Sequence, residues 1–146
     1  MDLILWRHAE AEAGSPDSAR KLTGRGQEEA RRIAAWLKPR LPGNCKVLVS
    51  PAARAQQTAL ALGVPFLTSP AVGTDAAAAD VIAAVDWPAD PGVKLVVGHQ
   101  PTLGRVAALL LSGAEADWEF GKGALWWLVR ADGKIALRTA VDPDLV

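Results

Sequence analysis

The 146-residue sequence has one cysteine and two histidines, balances sixteen basic against sixteen acidic residues, and contains no long apolar run. Each shortage excludes something. A lone Cys45 rules out an internal disulfide and supplies no thiolate cluster for a structural metal, so a buried, inert thiol is expected. Zero net charge gives no overall pull toward nucleic acid or membrane, and any anion site must be built locally. The apolar stretch near the start, Leu3 to Trp6, is too short for a secretory core and has no basic segment before it. Nothing later approaches the length of a membrane span, so a cytoplasmic protein with neither a nucleic-acid nor a membrane partner is expected. Repeats are absent, and the alanine tetrad 76–79 is the one locally biased stretch. With half the residues hydrophobic, a single domain over 1–146 with a substantial core is expected.

What is present is an alternation of short apolar runs and amphipathic segments. Asp2 to Trp6, Lys46 to Val49 and Val93 to Val97 read as strands buried on both faces of a parallel sheet. Between them, Gly26 to Leu41 carries Ala30, Ile33, Ala34, Leu37 and Leu41 at helical spacing, with Thr23 as a cap and Pro39 near the end. Ser50-Pro51 reads as a cap followed by a first-turn proline, opening a helix with Ala55, Ala59 and Leu62 on one face until Gly63. Pro101 opens a further helix through Leu103, Val106, Ala107 and Leu110, stopped at Ser112-Gly113. A weaker helix is expected over Ala76 to Val85, bounded downstream by Trp87-Pro88. Ala124 to Arg130 and Ile135 to Thr139 form a hairpin about Asp132-Gly133. The pattern predicts an α/β three-layer sandwich, with a mostly parallel sheet, helices on both faces and a C-terminal antiparallel hairpin.

In open α/β sheets ligands bind beyond the carboxyl ends of the strands. The three predicted strands deliver Arg7-His8, Ser50 to Arg54, and His99 to that edge, so both histidines are expected in one place. Such a group suits a metal or an anion. Arginine repels a cation, and no clustered carboxylate or cysteine offsets it, so phosphate is favoured and no metal is expected. Arg7 and Arg54 are suited to bidentate bonds to phosphoryl oxygens, and one neutral imidazole can attack while the other stabilises charge. Six tryptophans, including adjacent Trp126 and Trp127, are read as core rather than as an interface.

Leu5-Trp6-Arg7-His8-Ala9-Glu10 resembles the Arg-His-Gly motif of the histidine phosphatase (phosphoglycerate mutase-like) superfamily. Val49-Ser50-Pro51-Ala52-Ala53-Arg54-Ala55-Gln56-Gln57-Thr58-Ala59 resembles its second motif, and Val97-Gly98-His99-Gln100-Pro101 its third, in the same order. Leu22-Thr23-Gly24-Arg25-Gly26 matches a further family stretch. The resemblance covers essentially the whole chain. It implies that His8 is the phosphorylated nucleophile, that Arg7 and Arg54 clamp the phosphoryl oxygens, that His99 completes the pocket, and that no cofactor is needed.

Ala9 stands where the superfamily most often has glycine, a variant familiar in the small SixA-like branch, and the turn there is expected to be ordinary. Asp17-Ser18-Ala19-Arg20 resembles the same branch and nominates Arg20 as a further phosphate ligand. Larger relatives carry a helical lid with an acidic proton donor between the second and third motifs, where this chain has only Leu62 to Leu95. An open pocket follows, able to admit a side chain of another protein. It leaves Glu10, Asp17, Asp75 and Asp80 as alternatives for a general acid. Phosphohistidine expels imidazole, a leaving group far less basic than an alkoxide, so a weak acid favours that substrate. The expectation is a phosphohistidine phosphatase acting on a phosphorylated protein. Alternatives are a small-molecule phosphomonoesterase of the same superfamily and a catalytically silent phosphate-binding module; a mutase is disfavoured by the short middle region.

Overall fold

The computed structural model describes residues 1–87 and 89–146. Six strands, β1 (Asp2–Arg7), β2 (Lys46–Val49), β3 (Leu67–Thr68), β4 (Val93–Gly98), β5 (Leu125–Ala131) and β6 (Lys134–Val141), form one sheet in the order β3-β2-β4-β1-β5-β6. The pairs β1–β4, β2–β4 and β2–β3 are parallel, while β5 runs antiparallel to both β1 and β6. The fold is therefore the expected α/β sandwich. The hairpin turns on Asp132 and Gly133 at φ 52° and 73°, the positive pair that a tight two-residue turn requires.

Burial on both faces explains the apolar runs. Ile4, Trp6, Val47, Val49, Leu95 and Val97 point to one side, against α1 (Gly24–Leu37) and α2 (Ala53–Leu60). Leu3, Leu5 and Val96 point to the other, against α3 (Ala78–Ala84) and α4 (Thr102–Ser112). Trp127 joins the first core and Trp126 the second, as the period of two demands. Trp6, Trp36, Trp87 and Trp118 also pack against one core or the other.

Several local readings are corrected. The first helix spans Gly24–Leu37, because Thr23 caps it by accepting the Gly26 N–H; Lys38–Arg40 form a 3-10 turn around Pro39, and Leu41 packs on the core from beyond it. Ser50 does not cap the second helix, which begins at Ala53; its hydroxyl accepts the Ala52 N–H instead. Strand β3 was not foreseen, since both its residues are exposed and carry no apolar pattern. Helix α3 is shorter than read, its start held by the Asp80 carboxylate accepting the Ala77 N–H. Pro88, part of its expected downstream boundary, lies outside the described residues. Cys45 is half-buried, and desolvation pushes its thiol up to about 11, which keeps it protonated and inert.

Helices α1 and α2 carry the chain leftward from β1 across one face, and α3 and α4 carry it back across the other. The reversal falls between β1 and β4, the position where open sheets of this kind bind ligands. Register completes the alignment, with Arg7 opposite Gly98 and Val49 opposite Val97. The next residues of the three strands, His8, His99 and Ser50, therefore emerge side by side.

Candidate active site

Backbone bonds fix the exit from β1. The His8 N–H donates to the Gly98 carbonyl at 3.0 Å, and the His8 carbonyl accepts the Gly123 N–H at 3.1 Å. Ala9 is fully buried and is not among the positive-φ residues, so the turn is ordinary. The imidazole Nδ1 of His8 lies 2.8 Å from the Ala9 carbonyl. A carbonyl only accepts, so Nδ1 carries the proton and Nε2 keeps its lone pair. Burial, offset in part by that carbonyl and reinforced by His99, Arg54 and Arg7, lowers the His8 pKa to about 3. The ring is neutral at pH 7.

Arg54 stands in the first turn of α2, 5% exposed, and its Nε approaches His8 Nε2 at 3.3 Å. Its two terminal nitrogens donate to the Asp17 backbone carbonyl at 2.8 Å and the Asp17 carboxylate at 3.0 Å. Helical spacing places Gln57 and Thr58 beside it. Thr58 accepts the Ala9 N–H and donates to the Arg54 carbonyl, while Gln57 accepts the Leu22 N–H. The second motif thus locks the His8–Ala9 turn to the arginine that faces His8.

His99 follows β4 and is 3% exposed, its ring centroid 5.1 Å from that of His8 and tilted by 55°. Burial first, then Arg54, lowers its pKa to about 4. Its Nε2 lies 2.7 Å from Ser50 Oγ, and its buried Nδ1 has no hydrogen-bond partner among the described residues. Arg7 donates through one terminal nitrogen to the Phe120 carbonyl at 2.7 Å, while its buried Nε likewise has none. Unpaired buried polar atoms are costly, and two residues of this site each carry one.

A cavity of about 310 Å³ gathers Arg7, His8, Arg20, Arg54 and His99, together with Ala11, Thr74, Gln100 and Lys122. Four cations and no carboxylate line it. Lys122, Arg7 with Gln100, and Thr74 also line three neighbouring depressions. All five expected site residues are brought together, although Arg20 also binds the Asp17 carboxylate and the Glu12 carbonyl. Lys122 and Thr74 escaped the sequence reading because they sit on loops outside any motif, whereas Gln100 lies inside the third motif but was not singled out as a site residue. A larger cavity of about 470 Å³ lies at the opposite end of β2 and β4, lined by Cys45, Phe66 and Lys94. It holds neither histidine, and Lys46 and Lys94 are both already paired with Asp90.

The four candidate acids differ in placement. Glu10 accepts a hydrogen bond from the Thr23 hydroxyl and lies 3.6 Å from Lys122; that bond first, with Lys122, holds its pKa below the usual range. Asp17 is lowered by its bonds to Arg20 and Arg54. Asp80 serves as the α3 cap, and Asp75 lines the depression beyond Thr74.

Residues 3–72 match the histidine phosphatase superfamily (branch 1). An uncharacterized protein of Mycobacterium tuberculosis is 36% identical over 118 residues, spanning 76% of this chain and 73% of that one. The structure of the protein histidine phosphatase SixA complexed with tungstate covers 99% of both chains, with a TM-score of 0.85 and 27% identity. The alpha-ribazole phosphatase from Shigella flexneri shares the fold, with a TM-score of 0.71 at 20% identity over 98% of this chain and 97% of that one. The family match, the fold and the ordered motifs agree: the chain belongs to the histidine phosphatase superfamily, in its SixA-like branch.

Proposed function

We propose that the protein is a phosphohistidine phosphatase in which His8 Nε2 takes the phosphoryl group from a histidine of a phosphorylated protein. The observation that carries the reading is the protonated His8 Nδ1 held on the Ala9 carbonyl, which leaves a neutral Nε2 lone pair facing Arg54 in a carboxylate-free cationic pocket. The Nε2–P bond forms as the substrate's P–N bond breaks, and the departing imidazole takes its proton from water. A second water then attacks phosphorus, the Nε2–P bond breaks, and phosphate leaves while the water's proton passes to solvent. Arg7 and Arg54 hold the equatorial oxygens, His99 donates to one of them, and Arg20 contributes from the pocket's outer edge.

The substrate class follows from proton supply. Glu10 and Asp17 are ionised at neutral pH and engaged with cations, the wrong state for protonating an alkoxide. Imidazole departs without such help. The short Leu62 to Leu95 segment leaves little chain to cover the pocket, which favours a side chain presented by another protein.

A panel of phosphohistidine proteins and small phosphate esters, run beside His8→Ala, tests the proposal. Turnover of phosphohistidine protein that vanishes in His8→Ala is expected. Turnover retained by His8→Ala refutes the nucleophile, and faster turnover of a small ester supports the phosphomonoesterase instead. No turnover with tungstate binding intact identifies a silent binding module.

A further inference from the structure

The Ser50 hydroxyl is fully buried and has two neighbours within hydrogen-bond range among the described residues. One is the Ala52 N–H at 3.2 Å, which can only donate and so occupies a lone pair of the hydroxyl. The other is His99 Nε2 at 2.7 Å. The hydroxyl proton of a buried serine needs an acceptor, and Nε2 is the one within reach. Donation to Nε2 makes that nitrogen the acceptor and moves the imidazole proton to Nδ1, the buried atom that has no protein partner.

We propose that Ser50 is a positioning residue that fixes His99 as its Nδ1–H tautomer, so that His99 presents a hydrogen-bond donor to the phosphoryl oxygen rather than a competing lone pair. The inference rests on reading the pocket as a phosphoryl site and deepens it. The two histidines then share one tautomer with opposite results. His8 spends its proton on the Ala9 carbonyl and offers a lone pair; His99 spends its lone pair on Ser50 and offers a proton. Burial at 3% exposure and the neighbouring guanidinium of Arg54 keep His99 from carrying a second proton, so the tautomer decides what it can do. An Nε2–H tautomer would instead aim a lone pair at an anion, a repulsive arrangement.

Long-range proton–nitrogen correlation on nitrogen-15 labelled protein reads the tautomer directly. The wild-type protein at pH 7 is expected to show His99 protonated at Nδ1, and a spectrum showing Nε2–H overturns the proposal whatever the enzyme's substrate proves to be. In Ser50→Ala the same spectrum is expected to show Nε2–H or a mixture, and tungstate affinity to fall about 10- to 100-fold, the range typical of lost outer partners. Adding Ser50→Ala to His99→Ala is expected to change tungstate affinity less than about twofold. An equal further loss in that background would mean that Ser50 acts by some route other than His99, and would overturn the proposal.

Discussion

Acidification offers an exacting test of the site, because the chain's two histidines both lie in it. Both folded-state values, about 3 for His8 and about 4 for His99, lie below the 6.5 of an exposed imidazole. Between pH 6.5 and about 4 the unfolded chain therefore binds protons that the native chain refuses. Stability from this source is fully present above about pH 7 and falls as the pH drops. At pH 5, about 1.5 units below the ordinary value, the loss is about 2 kcal/mol for His99. It is about 1 to 2 kcal/mol for His8, whose ring reaches the pocket and is screened by solvent. Urea unfolding at pH 8 and pH 5 should thus differ by about 3 to 4 kcal/mol, while the carboxylates remain largely ionised in both states. The difference should shrink by about half in His8→Asn and nearly vanish when His99→Asn is added. A wild-type difference below about 1 kcal/mol, or one that survives in the double variant, would refute neutral burial of the pair.

Arg54→Lys is expected to lower kcat/KM about 100- to 1,000-fold, since a point charge cannot face Asp17 and the phosphoryl oxygens as the guanidinium fork does; steady-state kinetics check this. Thr58→Val keeps the side-chain shape but strands the buried Ala9 N–H, and should lower stability by about 1 to 3 kcal/mol in urea unfolding. Gly104→Ala would drive a Cβ into the Trp118 carbonyl, and the wall that carries Gln100 and Trp118 should shift. Overpacking of about 1 to 3 kcal/mol is expected in thermal unfolding.

The three central parallel strands were legible because they are buried on both faces, which writes Leu3 to Trp6 and Leu95 to Val97 as unbroken apolar runs. The edge that carries the candidate site was legible by the same token, since residues that follow such strands must meet at the switch point. Strand β3 left no trace, because two exposed residues at a sheet edge need no apolar period. Ser50 was misread for a physical reason as well. Ser-Pro is a good helix opening by local propensity, but here the hydroxyl is bonded to the Ala52 N–H and His99 while the helix waits until Ala53. Lys122 and Thr74 reach the pocket through loops whose course is set by packing, and no local signal encodes that.

The chemistry of the pocket is decided more by what its charges are tied to than by which residues line it. Glu10 and Asp17 lie beside the site, yet each is committed to a cation or hydroxyl that favours its ionised form, so proximity does not make either a proton donor. The arginines gain orientation from the same contacts, because Arg54 held by Asp17 still turns its Nε toward His8. One set of hydrogen bonds thus orients Arg54 and holds both carboxylates in their ionised form. A site so arranged stabilises a transferring phosphoryl group well and assists a basic leaving group poorly. The proposed substrate suits that arrangement, because the departing nitrogen of a phosphohistidine P–N bond needs little protonation.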